Sequence, residues 1–390
     1  MFPCRSRGGG KGANARTPGA PLGRGAKKYR GGVAATRQMP GLLRWLRIIQ
    51  RLVYVTVLAR LPTPDVLVPG MLNVFLTVDV EIWCDGWTDL DSKFPEAFQR
   101  YVYGKTADGE YGLRYQTEML ESHGLKGVFF VEPLFSGRFG LEPLVEVVSL
   151  LRERSQEIQL HLHTEWLDEW PRPLLPGPRC KRQFMRDFSR EQQHILIGEG
   201  ARRLRQAGAP EVNCFRAGSF GFNSDTLDAL ATCGIAFDSS YNASLFGPDS
   251  GVARGVILND VHHERGVTEV PMTVYDTGTG RLRHAQLGAC SSAELERLLW
   301  SAAESGRSSF VLLWHNFELL APSKRQADPV VVSRLRRLCG FLDRHRDTFR
   351  VRGFHGLDDI SPASPAAPLR SSIWCSAWRM TEQLYRRRYV

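Results

Sequence analysis

The sequence predicts an α/β protein: a mostly parallel sheet closing as an irregular (β/α) barrel of about seven strands. Three observations lead there. From Leu72 onward, short apolar runs alternate with amphipathic stretches, a pattern of parallel strands joined by right-handed helical crossovers. Two of the runs end in charged or metal-binding side chains at alternate positions: Phe75-Leu76-Thr77-Val78-Asp79-Val80-Glu81 and Ile158-Gln159-Leu160-His161-Leu162-His163-Thr164-Glu165-Trp166. Alternate side chains share one face of a strand, so Asp79 pairs with Glu81 and His161 with His163.

The elements follow in order. Leu72 to Val80 reads as a buried strand, residues 112–123 as a helix, Gly127 to Glu132 as a strand and 141–154 as an amphipathic helix. Glu157 to His161 is the third strand, 189–207 a helix closed by Gly208, and Val212 to Arg216 the fourth strand. Asn223 or Ser224 caps a helix over 225–233, Ile235 to Asp238 is a short strand and Ser309 to His315 a late one. Asp79, His161, Arg216 and His315 then all stand at strand carboxyl ends, where barrels gather their chemistry.

Charge is unevenly distributed along the 390 residues. Residues 1–70 hold thirteen Lys or Arg and one Asp, whereas 71–390 hold 38 basic and 40 acidic side chains. The net charge of +10 therefore belongs to the leader, and nucleic acid is not an expected partner of the domain. Residues 1–38 are rich in Gly, Arg, Ala and Pro and are expected to be disordered. Leu42 to Leu61 is apolar and basic, with too short an uninterrupted apolar core to span a bilayer, though a helix on a membrane surface suits it. Met71 leads directly into the first strand, so 1–70 is read as a basic leader outside the native domain, and 71–360 as the barrel. Residues 361–390 form a Ser/Pro/Ala linker and a tail with two Trp, two Tyr and four Arg. A loosely ordered terminus is the plain reading of that tail; docking on the barrel, a partner or a membrane surface are the alternatives.

The eight cysteines show no Cys-x-x-Cys spacing, which argues against a structural zinc site or a disulfide framework. Cys84 is turned away from Glu81 by the strand alternation. A cytoplasmic protein, with the inner membrane surface as an option, fits these features.

A carboxylate among Leu76, Val78, Val80 and Ile82 is costly to bury unless something compensates it. A divalent transition metal does so directly, and imidazole with carboxylate suits zinc first, then manganese, iron, cobalt or nickel. The bland alternative makes Asp79 a strand cap and the histidines ordinary hydrogen-bonded side chains. The convergence of both pairs at strand ends weighs against it.

At this point the residues from about Leu72 to Asp359 resemble the polysaccharide deacetylases of carbohydrate esterase family 4, the NodB-homology domain. The likeness is closest to a WalW-like bacterial branch associated with lipopolysaccharide biosynthesis. Thr77-Val78-Asp79-Val80-Glu81 stands where the family has Thr-Phe-Asp-Asp, which implies Asp79 as general base and Glu81 as metal ligand. The family's His-Ser/Thr-x-x-His falls on His161 and Glu165, with His163 between them, so His163 and Glu165 compete for one ligand place. Phe215-Arg216-Ala217-Gly218 matches the block whose Arg orients the catalytic Asp, although its Pro is missing. Leu313-Trp314-His315 matches the last block and implies His315 as general acid. Asp238-Ser239-Ser240-Tyr241 occupies the groove-lining block, and Trp83, Trp166 and Asn316 are further expected substrate contacts.

The resemblance implies a metal-dependent hydrolase that removes an N-acetyl group from an amino sugar, in a polysaccharide or its lipid- or nucleotide-linked precursor. Two other readings stay open. One is a non-catalytic relative that binds carbohydrate or a partner protein; the other is a metal amidohydrolase acting on another C–N bond.

Overall fold

Strand β1, Leu72–Val80, is buried along nearly its whole length and forms the axis of the sheet. The computed structural model describes residues 71–358, 360–363 and 367–389, so the expectations for the leader and for 42–61 lie outside the described residues. The remaining strands are β2 (Val128–Val131), β3 (Glu157–Leu162), β4 (Cys214–Ala217), β5 (Phe237–Asp238), β6 (His262–Glu264), β7 (Val267–Glu269), β8 (Val274–Asp276), β9 (Leu282–His284), β10 (Ser309–His315), β11 (Phe349–Val351) and β12 (Leu369–Arg370). Nine of them form the main sheet, in the order β10-β1-β2-β3-β4-β5-β7-β6 with β11 also on β1. Every pair from β10 to β7 is parallel, and only β6 runs antiparallel, against β7. The sheet curls into a half-barrel wrapped by helices, the irregular α/β barrel expected from the alternation.

Side-chain alternation divides the core in two. Val74, Leu76, Val78 and Val80 of β1 face outward into the large cluster beneath the helices. Phe75, Val128, Phe130, Cys214, Val311 and Leu313 form a second cluster inside the curl. Phe354, in the loop after β11, closes the amino-terminal end of this interior by stacking on Phe75 at 5.0 Å and meeting Phe130 at 6.0 Å. Toward the carboxyl ends the same interior columns continue into polar side chains. Thr77 and Asp79 follow Phe75, and His161 follows Gln159.

The helices are α1 (Leu90–Phe98), α2 (Leu113–Glu121), α3 (Glu142–Arg152), α4 (Arg190–Gln206), α5 (Ser224–Thr232), α6 (Ser292–Glu304), α7 (Pro329–Arg344) and α8 (Ile373–Tyr389). Helix α4 begins with a capping box in which Ser189 and Gln192 serve each other's backbone N–H. It ends before Gly208, whose φ of 102° lets the chain turn back. Asn223, rather than Ser224, is the cap of α5. Helix α1 carries Pro95 in its interior, a signal that reads as a helix stop in sequence. The tail docks on the barrel: β12 pairs with β8, and α8 packs beside α6 and α7 through ion pairs.

Candidate metal centre

Two registers build the site. In the β1–β10 pair, Asp79 lies directly beside His315, and in the β3–β4 pair His161 lies beside Arg216. Glu81 follows β1 on the Asp79 face, and His163 follows β3 on the His161 face.

Glu81, His161 and His163 offer one ligand atom each, all within 4.8 Å of one another; Asp79, Glu81 and His315 form a second such group. Glu81 Oε1 is the common point, 3.2 Å from His161 Nε2, 2.9 Å from His163 Nε2 and 3.9 Å from His315 Nε2. Each donor is held from behind. His161 Nδ1 lies 2.8 Å from the Arg216 carbonyl oxygen, an acceptor, so Nδ1 carries a proton and Nε2 is the atom turned to Glu81 Oε1. With Nε2 unprotonated, a divalent cation between it and the carboxylate oxygen would satisfy both. The residues present therefore fit a metal.

Glu165 stands on the far side of His163, its Oε2 3.5 Å from Nδ1, whereas Nε2 points to Glu81. His163 faces the donor group and Glu165 lies behind it, the place from which a carboxylate can orient an imidazole. The sequence cannot show this, because a turn of 3₁₀ helix starts at Thr164 and swings Glu165 off the strand alternation. Trp83 Nε1 donates to Glu81 Oε2 at 2.7 Å, leaving Oε1 as the oxygen aimed at the imidazoles. Cys84 is buried, its thiol pushed up to about 11 by burial and then by Asp85, and belongs to neither donor group.

Charge in the centre is strongly biased. Burial alone would raise the Glu81 carboxyl, yet His163, His161 and His315 hold it well below the usual carboxylate range. Burial opposes the charged form of His163 too, and Glu81 with Glu165 overcome it, raising His163 well above the ordinary imidazole value. His315 is held up to about 9: burial pulls it down, while Glu318, Glu81 and Asp79 outweigh that effect. Glu318 stands behind His315. Its Oε2 accepts from the His315 backbone N–H and sits 3.5 Å from Nδ1, and its Oε1 accepts from Gly288 N–H. The His-x-x-Glu spacing is the signal that could have assigned it.

Arg216 is fully buried and donates from Nη1 to Asp79 Oδ1 at 2.7 Å and to Thr77 Oγ1 at 2.9 Å. Nε and Nη2 are taken by the Ser239 carbonyl and hydroxyl, and the guanidinium lies 4.2 Å over the Phe130 ring. One Asp79 oxygen is thereby committed to Arg216. Thr77 and Ser239 complete this clamp; neither stood out in the sequence, since both are small hydroxyls whose role depends on the interior they face.

Four expected substrate contacts are placed elsewhere. Asp238 and Tyr241 are buried completely: Asp238 accepts from Ser240 Oγ, and the Tyr241 hydroxyl donates to the Val256 carbonyl. Asp238 and Glu269 form a buried carboxyl pair, both raised, chiefly by burial. Trp166 is 1 % exposed, packed against Trp87 and Phe139, and frames the cleft from beneath. Asn316 is also buried. Its Oδ1 accepts from Glu81 N–H, while Nδ2 donates to the Glu81 and Tyr101 carbonyls. All four are buried and shape the frame of the site. Trp83 and Trp87 are half-buried and edge-to-face at 6.1 Å, with Lys181 Nζ 3.6 Å over the Trp87 ring.

No protein-family model matches the chain, and no curated protein matches it. Among solved structures it is similar to a protein of Mycobacterium smegmatis designated a polysaccharide deacetylase, with 17% identity and a TM-score of 0.49, covering 79% of this chain and 97% of that one. It is also similar to a family 4 carbohydrate esterase of Streptomyces lividans, with 13% identity and a TM-score of 0.36, covering 77% and 100%. A family 4 pseudoenzyme of Bacillus anthracis is similar at 12% identity and a TM-score of 0.37, covering 78% and 71%.

Proposed function

We propose that this chain is a metal-dependent hydrolase that removes the N-acetyl group of an amino sugar, in bacterial surface polysaccharide or lipopolysaccharide biosynthesis. The observation that carries the reading is the pairing of Asp79 with His315 across β1 and β10, directly beside the donor group of Glu81, His161 and His163. A base and an acid flank one point, as hydrolysis of an amide requires.

Two imidazoles and one carboxylate suit zinc first, with manganese, iron, cobalt or nickel as alternatives, and such a cation supplies carbonyl polarisation and a more acidic water. The protein's own groups do the rest. Arg216 holds Asp79 Oδ1, so the other oxygen is the one that takes the proton of the attacking water. The water oxygen bonds to the acyl carbon and the C–N bond breaks. His315, which Glu318, Glu81 and Asp79 hold up to about 9 against its burial in the metal-free chain, gives its proton to the departing nitrogen, leaving a free amine and acetate. Trp83 and Trp87 present aromatic faces beside the centre, suited to a sugar ring. The substrate is a polysaccharide or its lipid- or nucleotide-linked precursor, met in the cytoplasm or at the inner membrane surface.

The test is acetate release from N-acetylated amino-sugar oligomers by the purified chain, beside its metal content by inductively coupled plasma mass spectrometry. About one transition metal per chain with acetate released supports the reading. A loaded chain that releases ammonia or another amine from a different amide moves it to an amidohydrolase. A chain that takes up no metal yet binds oligomers identifies a binding protein.

A further inference from the structure

Helix α8 is amphipathic in the inverted sense. A surface helix normally turns its apolar stripe to the core and its charges to water. Here Cys375, Trp378, Arg379, Glu382 and Arg386, spaced at helical intervals, face the barrel. Arg379 Nη1 reaches Glu294 Oε1 at 2.8 Å, Glu382 Oε2 receives Arg334 Nη2 at 2.5 Å, and Arg386 Nε reaches Asp328 Oδ2 at 2.6 Å. Glu294 and Asp328 are fully buried, so these pairs fix which face of the helix points inward. Breaking either one would strand a buried carboxylate, which makes the orientation hard to reverse.

The other face is apolar and open. Ile373 is 58 % exposed, Trp374 74 %, Met380 61 % and Leu384 65 %, the densest group of exposed large hydrophobic side chains among the described residues. Ile373, Met380 and Leu384 share one line of the helix and Trp374 flanks it, all four within about 120° of the helix surface. Of the five Arg in Leu369–Tyr389, Arg379 and Arg386 are paired inward and Glu382 is paired with Arg334, which leaves Arg370, Arg387 and Arg388 as the segment's surplus positive charge, in a domain that is otherwise slightly acidic. No described helix is long and apolar enough to cross a membrane.

We infer that α8 is a membrane-surface anchor whose outward stripe enters the interface of an anionic bilayer. An apolar stripe with an exposed Trp, on a helix of net positive charge, is the chemistry that anionic lipid headgroups recognise. The anchor would bring the centre to a substrate that is itself held at a membrane.

The experiment is vesicle co-sedimentation of the full chain, with phosphatidylcholine alone and with phosphatidylcholine containing phosphatidylglycerol. The variant Trp374→Ser/Leu384→Ser is compared with wild type and with Ile195→Ser, an exposed apolar residue of α4 used as a control. All three keep the basic leader, so electrostatic binding through residues 1–70 is common to them. The expected result is retention on anionic vesicles by wild type and the control, with at least about tenfold weaker binding by the double variant. Equal binding by all three overturns the inference, because the leader then accounts for it. Concentration-dependent dimerisation in gel filtration, lost in the double variant, also overturns it in favour of a second copy. Circular dichroism and thermal melting check that the double variant is folded; both substituted side chains are exposed, and no change is expected.

Discussion

Loading the centre with zinc should release one proton per chain near neutral pH. Without a cation, His163 is held well above the ordinary imidazole value, because Glu81 and Glu165 outweigh its burial. Glu81 is held well below the usual carboxylate value against its own burial. These directions favour imidazolium at His163 and carboxylate at Glu81 in the metal-free chain, and a protonated His163 Nε2 cannot bind a cation until its proton leaves. One proton exchanged for one cation makes the apparent affinity rise about tenfold per pH unit below the His163 value and level off above it. Isothermal titration calorimetry in two buffers of different protonation enthalpy, at pH 6, 7 and 8, counts the proton directly. A count near zero at pH 6 and 7, or an affinity indifferent to pH, would refute His163 as a donor.

The same shifts fix the sign for the metal-free chain. The raised His163 stabilises fully below the ordinary imidazole value, and this contribution is lost as pH rises through its folded value. The lowered Glu81 stabilises above the ordinary carboxylate value, and its contribution is lost as pH falls through its depressed one. Metal-free stability from this pair is therefore greatest between those limits, while the added stabilisation from zinc grows toward alkaline pH.

Three further outcomes are expected. Asp79→Asn should lower turnover by about 10²–10⁴, the usual worth of a positioned base, with metal content unchanged by mass spectrometry. Arg216→Met removes the partner of a buried carboxylate and should cost about 3–5 kcal/mol in denaturant unfolding, and a loss under 1 kcal/mol would show that the clamp is not structural. Glu318→Gln removes the first-named support of the raised His315, so the alkaline limb of activity, where the acid loses its proton, should move down by about one pH unit. An unmoved limb would place the acid elsewhere.

Much of this arrangement was legible in the sequence, for identifiable reasons. β1 and β10 were found at their full lengths, since both are dominated by apolar residues and carry a polar side chain near the carboxyl end. The pairing of Asp79 with Glu81, and of His161 with His163, follows from strand alternation alone. The order of His163 and Glu165 was not legible, because the alternation ends at Thr164 where a tighter turn begins. Asp238 and Tyr241 were expected in the groove from the block they match, and Asn316 from its place after His315; all three are buried, Asp238 accepting from Ser240, Tyr241 donating to the Val256 carbonyl and Asn316 bonded to the Glu81 backbone. Helix α1 was hidden by Pro95, and the docking of α8 by its inverted pattern, in which the stripe that normally marks an inner face marks the outer one.

The carboxamide of Asn316 acts on Glu81 as a neighbouring strand would, answering both its N–H and its carbonyl across 235 positions of sequence. The three donors all lie in the first half of the chain, yet the backbone of one is held by the residue that follows β10, far along the sequence. Cation affinity is consequently a gauge of whether the edge strand β10 is seated on β1. Any opening between β1 and β10, thermal or mutational, should be felt as faster metal loss before the rest of the chain unfolds.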